Sequence, residues 1–118
     1  MTESILREKS KKFAKNIILL SRKLKENRVE AVIVNQLLRC STSVGANIFE
    51  GQYAQGTKDF ISKFEIALKE CNESAYWLEI LFETDAIGEE DYLTFQQQCV
   101  ELRRMLVASV NTIKSKQL

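Results

Sequence analysis

The chain contains no proline in its 118 residues. Its apolar residues repeat at helical spacing over long stretches, and nothing in those stretches removes a backbone donor or forces a kink. Leu6, Phe13, Ile17, Leu20 and Leu24 form one stripe and predict a helix from about Glu3 to Glu26. After the connection Asn27-Arg28-Val29, the residues Ile33, Leu37, Cys40, Val44 and Ile48 predict a second helix from Glu30 to Glu50. The segment Gly51 to Gly56 reads as a turn, with Gly at both ends. Thr57 is then placed to cap a third helix running to Glu83, and Asp59 suits its first turn. Its stripe is Phe60, Phe64, Ala67, Cys71, Leu78 and Phe82. Beyond the loop from Thr84 to Gly88, the acids Glu89, Glu90 and Asp91 open a fourth helix, as the helix dipole favours. Tyr92, Phe95, Cys99, Leu102, Leu106, Val110 and Ile113 form its stripe. No strand pattern competes. Four long helices with short loops predict an all-α fold, an antiparallel up-down-up-down four-helix bundle, in one domain spanning residues 1–118.

Composition narrows the chemistry. Apolar residues make up 45% and charged residues 28%, as in a soluble globular protein and unlike a disordered one. The chain has no His, so it lacks the commonest general base and transition-metal ligand, and the Glu-x-x-His pairs of a di-iron bundle cannot form. Its three cysteines, Cys40, Cys71 and Cys99, make no C-x-x-C pair and fall on core faces, where Cys acts as a small hydrophobe. There is no Walker loop, nucleophile elbow or dinucleotide fingerprint. The sequence therefore predicts no enzyme, no cofactor, no metal and no small-molecule substrate. The N-terminal segment lacks the apolar region of a signal peptide, and no apolar run approaches a membrane span. A cytoplasmic location and no membrane partner are expected.

Helix 2 gathers small residues at Ser41, Thr42, Ser43, Gly45 and Ala46. Glycine inside a helix costs about 1 kcal/mol relative to Ala. Simple packing need or the close approach of a neighbouring helix would explain it.

Two outer surfaces emerge when the helices are drawn at about 100° per residue. Opposite the core stripe of helix 3 lie Ile66, Glu73, Trp77 and Ile80, with Tyr76 at the flank. A surface helix is ordinarily apolar on one side only, and Trp is a frequent interface anchor. This second face reads as a subunit interface or as a widened core. On helix 1, Lys11, Lys15 and Arg22 form a line interrupted by Ile18 and broadened by Lys12 and other basic residues. It reads as a solvated face, as a track for phosphates, or as a partner for an acidic neighbour. Arg39 on helix 2 is a further candidate phosphate contact.

The formal net charge of +1 conceals a strong segregation. Residues 1–28 carry 9 basic and 3 acidic side chains, residues 65–101 carry 1 and 10, and residues 102–118 carry 4 and none. Acidic helix 3 can therefore pair with basic helices 1 and 4, within a subunit or between subunits. Exposed pairs contribute only about 0–1 kcal/mol each, so they specify partner and orientation more than affinity. Arg39, Ser43, Asn47 and Glu50 form a polar face on helix 2. It suits phosphate or sugar contacts through Arg39 and Asn47, or mutual satisfaction where helices cross.

The run from Leu37 to Gly51, LLRCSTSVGANIFEG, together with Asp59-Phe60-Ile61, Ile66-Ala67-Leu68-Lys69-Glu70 and Tyr76-Trp77-Leu78, resembles a known family. Its members are bacterial four-helix-bundle proteins encoded by intervening sequences of large-subunit ribosomal RNA genes. The resemblance covers nearly the whole chain. Phe49 departs from it, standing where small residues or Arg are common. The family is related in fold to the accessory variability protein of diversity-generating retroelements, which forms a pentameric barrel and works with a reverse transcriptase and nucleic acid. The resemblance implies a four-helix bundle and a homopentamer, with no established biochemical activity. Two functions are expected from residues and resemblance together. One is a non-enzymatic homo-oligomeric scaffold whose partner is itself. The other is RNA or DNA binding through basic helix 1 of the assembled oligomer.

Overall fold

The four periodic stretches form four helices in the structure, a computed structural model that describes residues 2–116. They are α1 (Thr2–Glu26), α2 (Ala31–Gln52), α3 (Thr57–Glu83) and α4 (Glu89–Ser115), with no strand among the described residues. Each helix packs on its neighbours in the chain. The α2/α3 seam is the most extensive, and α1 touches α4 only lightly. Cross-helix pairs fix the directions. Arg7 near the start of α1 donates to Gln52 at the end of α2 (2.8 Å), and Lys63 near the start of α3 reaches Glu50 late in α2 (3.1 Å). Lys114 late in α4 reaches Glu65 early in α3 (3.3 Å), and Lys9 of α1 meets Glu101 of α4 (3.1 Å). The result is an antiparallel up-down-up-down bundle, 50 × 22 × 20 Å.

The core is built from the expected stripes: Leu6, Phe13, Ile17 and Leu24 of α1, Leu37, Cys40, Val44 and Ile48 of α2, Phe64, Ala67, Cys71 and Leu78 of α3, and Cys99, Leu102 and Leu106 of α4. Three details differ from the sequence reading. Val34 rather than Ile33, and Leu81 rather than Phe82, reach the centre. Ile33 and Phe82 sit half-buried on its edge, where Phe82 stacks on Tyr92 with ring centroids 4.4 Å apart. Phe60 and Ile113 are likewise half-buried.

The second difference is where α2 stops. Gly51 is inside the helix and buried, so the turn begins only after Gln52. A Cβ on Gly51 would lie 2.7 Å from Phe64 Cδ1. The glycine is there to let the Phe64 ring close on α2, not to turn the chain. The third difference is the cap of α3. Gly56 occupies the cap position and no side chain caps the helix, Thr57 being its first residue.

Helices α1 and α3 end alike. Arg28 (φ 62°) and Asp85 (φ 63°) take the left-handed conformation. Val29 N–H then returns to Leu24 C=O at 3.0 Å, and Ala86 N–H to Leu81 C=O at 2.8 Å, closing the last turn in each case.

Candidate assembly and nucleic-acid surfaces

The outer face of α3 is apolar and only partly covered. Ile66 is 40% exposed and Tyr76 55% exposed, while Trp77 and Ile80 are half-buried. Tyr76 and Trp77 meet edge to face with centroids 4.9 Å apart. The Trp77 indole N–H donates to Glu73 at 3.0 Å, and Arg39 reaches across from α2 to Glu73 and to Glu70 (2.9 Å). The Arg39 guanidinium, with help from the indole, holds the Glu73 carboxyl below its usual range. The same bond raises Arg39 above its own. Ile66, Glu73, Trp77 and Ile80 are thus brought onto one face, with Glu73 held by Arg39, Ile66 exposed, Trp77 packed in part against the core and Ile80 beside the α1–α2 connection. Exposed Lys69 stands on the same face and Glu83 at its edge, neither in an ion pair among the described residues.

Lys11, Lys12, Lys15 and Arg22 are exposed on α1, and none enters an ion pair or a side-chain hydrogen bond among the described residues. Lys11, Lys12 and Lys15 share one shallow depression along the helix. Arg39 does not join them. Its charge is engaged by Glu70 and Glu73 on the α3 side of α2, so the residues grouped from the sequence as phosphate contacts divide between two surfaces.

The polar face of α2 separates in the same way. Asn47 Nδ2 donates to Ser43 C=O at 2.8 Å, Glu50 accepts from Lys63 and Arg39 holds the two glutamates. Arg39 and Glu50 find their partners on α3 and Asn47 finds its own within α2, so two of the four residues act as a seam between helices.

Small side chains in the core carry a further link that the periodicity did not signal. The buried Ser41 hydroxyl of α2 donates to Ser74 Oγ of α3 at 3.0 Å. Ser74 in turn has Glu70 C=O at 2.9 Å and Cys40 Sγ at 3.3 Å. Burial pushes the Cys40 thiol up, and the hydrogen bond that the Cys99 thiol donates to the Cys71 sulfur, together with burial, pushes up Cys99. Neither is a ready thiolate nucleophile. On α4, Leu93, Val100 and Val107 are 51%, 38% and 38% exposed and recur every seventh residue. That spacing was available in the sequence.

Between α1 and α2 the surface opens into two apolar depressions of about 330 and 470 Å³ that meet at Thr42. Gly45 and Ala46 of α2 and Ala14 of α1 line the first, with Phe49 beside them. The Phe49 ring is 53% exposed and tilts against Tyr53 with centroids 5.0 Å apart.

No helix among the described residues is long and apolar enough to cross a membrane. A family model described as 23S rRNA-intervening sequence protein matches residues 2–108. No curated protein matches the chain. The fold is similar to the crystal structure of a protein of unknown function from the S23 ribosomal protein family of Bacteroides thetaiotaomicron VPI-5482. The TM-score is 0.91 and the identity 40%, over 94% of this chain and 99% of that one.

Proposed function

Because this chain belongs to the 23S rRNA-intervening sequence protein family, we propose that it is a non-enzymatic assembly protein, a cytoplasmic homo-oligomer that acts as a helical scaffold. Five subunits is the number the family resemblance implies. The observation that carries the reading is the outward apolar face of α3, where Ile66 and Tyr76 stand exposed beside Trp77 and Ile80. In a subunit of this size such a face, centred on an aromatic pair, is the kind of surface that association covers. Static light scattering tests it. The wild type is expected above monomer mass at micromolar concentration. Trp77→Ala with Ile80→Ala is expected to run as a monomer with its helicity largely kept. A monomeric wild type would overturn the reading.

The unpaired cations of α1 favour a second reading, in which the oligomer binds RNA or DNA. Repeating Lys11, Lys12, Lys15 and Arg22 around a ring multiplies a weak patch, since each phosphate contact releases counterions. The exposed Phe49 ring of α2 lines the same depression as Lys11 and Arg7, so backbone contacts would be joined by one ring on which a base can stack. A salt titration of binding to a generic RNA and a generic duplex decides it. Affinity should fall steeply with salt and with Lys11→Ala/Lys15→Ala. Binding indifferent to both would reject this role.

A further inference from the structure

We infer that the groove between α1 and α2 binds single-stranded nucleic acid, with phosphates along the α1 wall and a base stacked on Phe49 of the α2 wall. This rests on the nucleic-acid reading and adds where the strand lies and why a single strand is preferred to a duplex.

The two walls of the groove differ in kind. Arg7, Lys11, Arg22 and Lys25 stand along α1, and none enters an ion pair among the described residues. The α2 wall is neutral, running from Leu38 through Thr42 and Ala46 to Phe49, and no acidic residue lines either depression. A single strand has the same asymmetry, with charged phosphates along one edge and flat bases along the other. The depression on the other flank of α1, which Lys11 shares with Lys12 and Lys15, includes Glu8 and has no ring.

The Phe49 ring is placed to stack. It is 53% exposed at one end of the groove, beside Arg7 and Lys11. Tyr53, one turn on and 67% exposed, tilts against it with centroids 5.0 Å apart. The pair is therefore a platform open to solvent and not a piece of the core. Arg7 Nε donates to Gln52 at 2.8 Å, which holds the guanidinium at the Phe49 end of the groove.

The floor leaves room for a base. A Cβ on Gly45 would meet nothing nearer than Ser10 Oγ at 3.5 Å, and the side chains of Ala14 and Ala46 end at Cβ. A planar ring can thus lie close to both helices in a depression of about 330 Å³.

A duplex cannot use these features. Its bases already stack on one another, so it meets the cations and leaves the ring idle. From Arg7 to Lys25 the cations span about 27 Å at about 1.5 Å per residue. That is room for about eight phosphates at the spacing of about 3.4 Å in a stacked strand, and for fewer in an extended one. No residue of α3 lines the groove, so strand binding and association through the α3 face do not compete for side chains.

Fluorescence anisotropy tests this with a labelled single strand of mixed sequence, as RNA and as DNA, and with a duplex of the same length. The wild type should hold at least one of the single strands about tenfold more tightly than the duplex at the same salt. Phe49→Ala should weaken single-strand binding about tenfold, within the range that base–aromatic stacking supplies, and leave duplex binding unchanged. Lys11→Gln with Lys25→Gln should cost more affinity than Lys12→Gln with Lys15→Gln, which removes the same charge. Phe49→Trp should keep the affinity and add an indole whose fluorescence the bound strand quenches. All these positions are exposed, so circular dichroism should not change. Should Phe49→Ala lose helicity, the Phe49→Trp quenching and the two lysine pairs decide. Equal affinity for strand and duplex, with no quenching of Phe49→Trp, overturns the groove contact and leaves nucleic-acid binding standing. Failure of all three probes to bind overturns both and leaves the groove to an acidic protein segment.

Discussion

Gly51 yields its side-chain space to Phe64, whose Cδ1 and Cε1 would lie 2.7 and 2.8 Å from a Cβ built on the glycine. Gly45, six residues earlier on the same helix, has nothing nearer than 3.5 Å. The two glycines should therefore respond to Ala with opposite signs. Gly51→Ala forces the buried Phe64 ring to move and is expected to destabilise by about 1–3 kcal/mol. Gly45→Ala gains helix propensity and should stabilise the subunit by about 0.5–1 kcal/mol. Urea unfolding of the two single variants checks both signs.

The Ser41–Ser74 bond makes a second prediction. Ser74→Ala deprives the buried Ser41 hydroxyl of its acceptor and should cost about 1–3 kcal/mol. Ser41→Ala should cost less, since Ser74 retains Glu70 C=O at 2.9 Å. A double-mutant cycle in urea should show coupling between the two. Additive costs would mean that the bond contributes nothing.

Glu73 predicts a pH dependence. Its carboxyl is held below the usual range by Arg39 and then by Trp77. A depressed carboxylate contributes stability that is present above its unfolded value of about 4.3 and is lost as pH falls through the folded one. The α2/α3 seam should weaken progressively on acidification through and below that range. The Glu73 side chain is 33% exposed, so the contribution is about 0–1 kcal/mol. In Glu73→Gln, the stability lost between neutral and acid pH should shrink by about that amount. An unchanged pH profile would show that the pair adds nothing.

Left-handed Arg28 and Asp85 predict a gain. Each holds a conformation that side chains with a Cβ resist and glycine adopts freely. Arg28→Gly and Asp85→Gly should each stabilise the subunit by up to about 1 kcal/mol, net of the extra chain entropy glycine gives the unfolded state. Thermal unfolding of the single variants checks both.

The helices were legible because periodicity is a local property. Phe13, Leu37, Phe64 and Leu102 are buried where their stripes placed them. Local rules misled at the element ends. Gly51 resembles a turn glycine, and only the position of Phe64 on another helix shows it to be a packing glycine. Val34 and Leu81 displaced Ile33 and Phe82 because adjacent residues differ by about 100° around a helix, and the packing of two neighbours selects which of them points to the centre. The apolar face of α3 could be read from the wheel. The groove could not, since it forms between α1 and α2.

By itself the sequence determined four helices, their core stripes, the uneven distribution of charge and the absence of histidine chemistry. Each follows from residue type and spacing along one helix. Only the tertiary structure decided which charges remain available. Arg39, grouped with the α1 lysines by charge, is engaged by Glu70 and Glu73, while Lys11, Lys15 and Arg22 have no such partner among the described residues. A charge is free or paired according to what the fold brings within a few ångströms of it, and that distance is set by helices far apart in the chain.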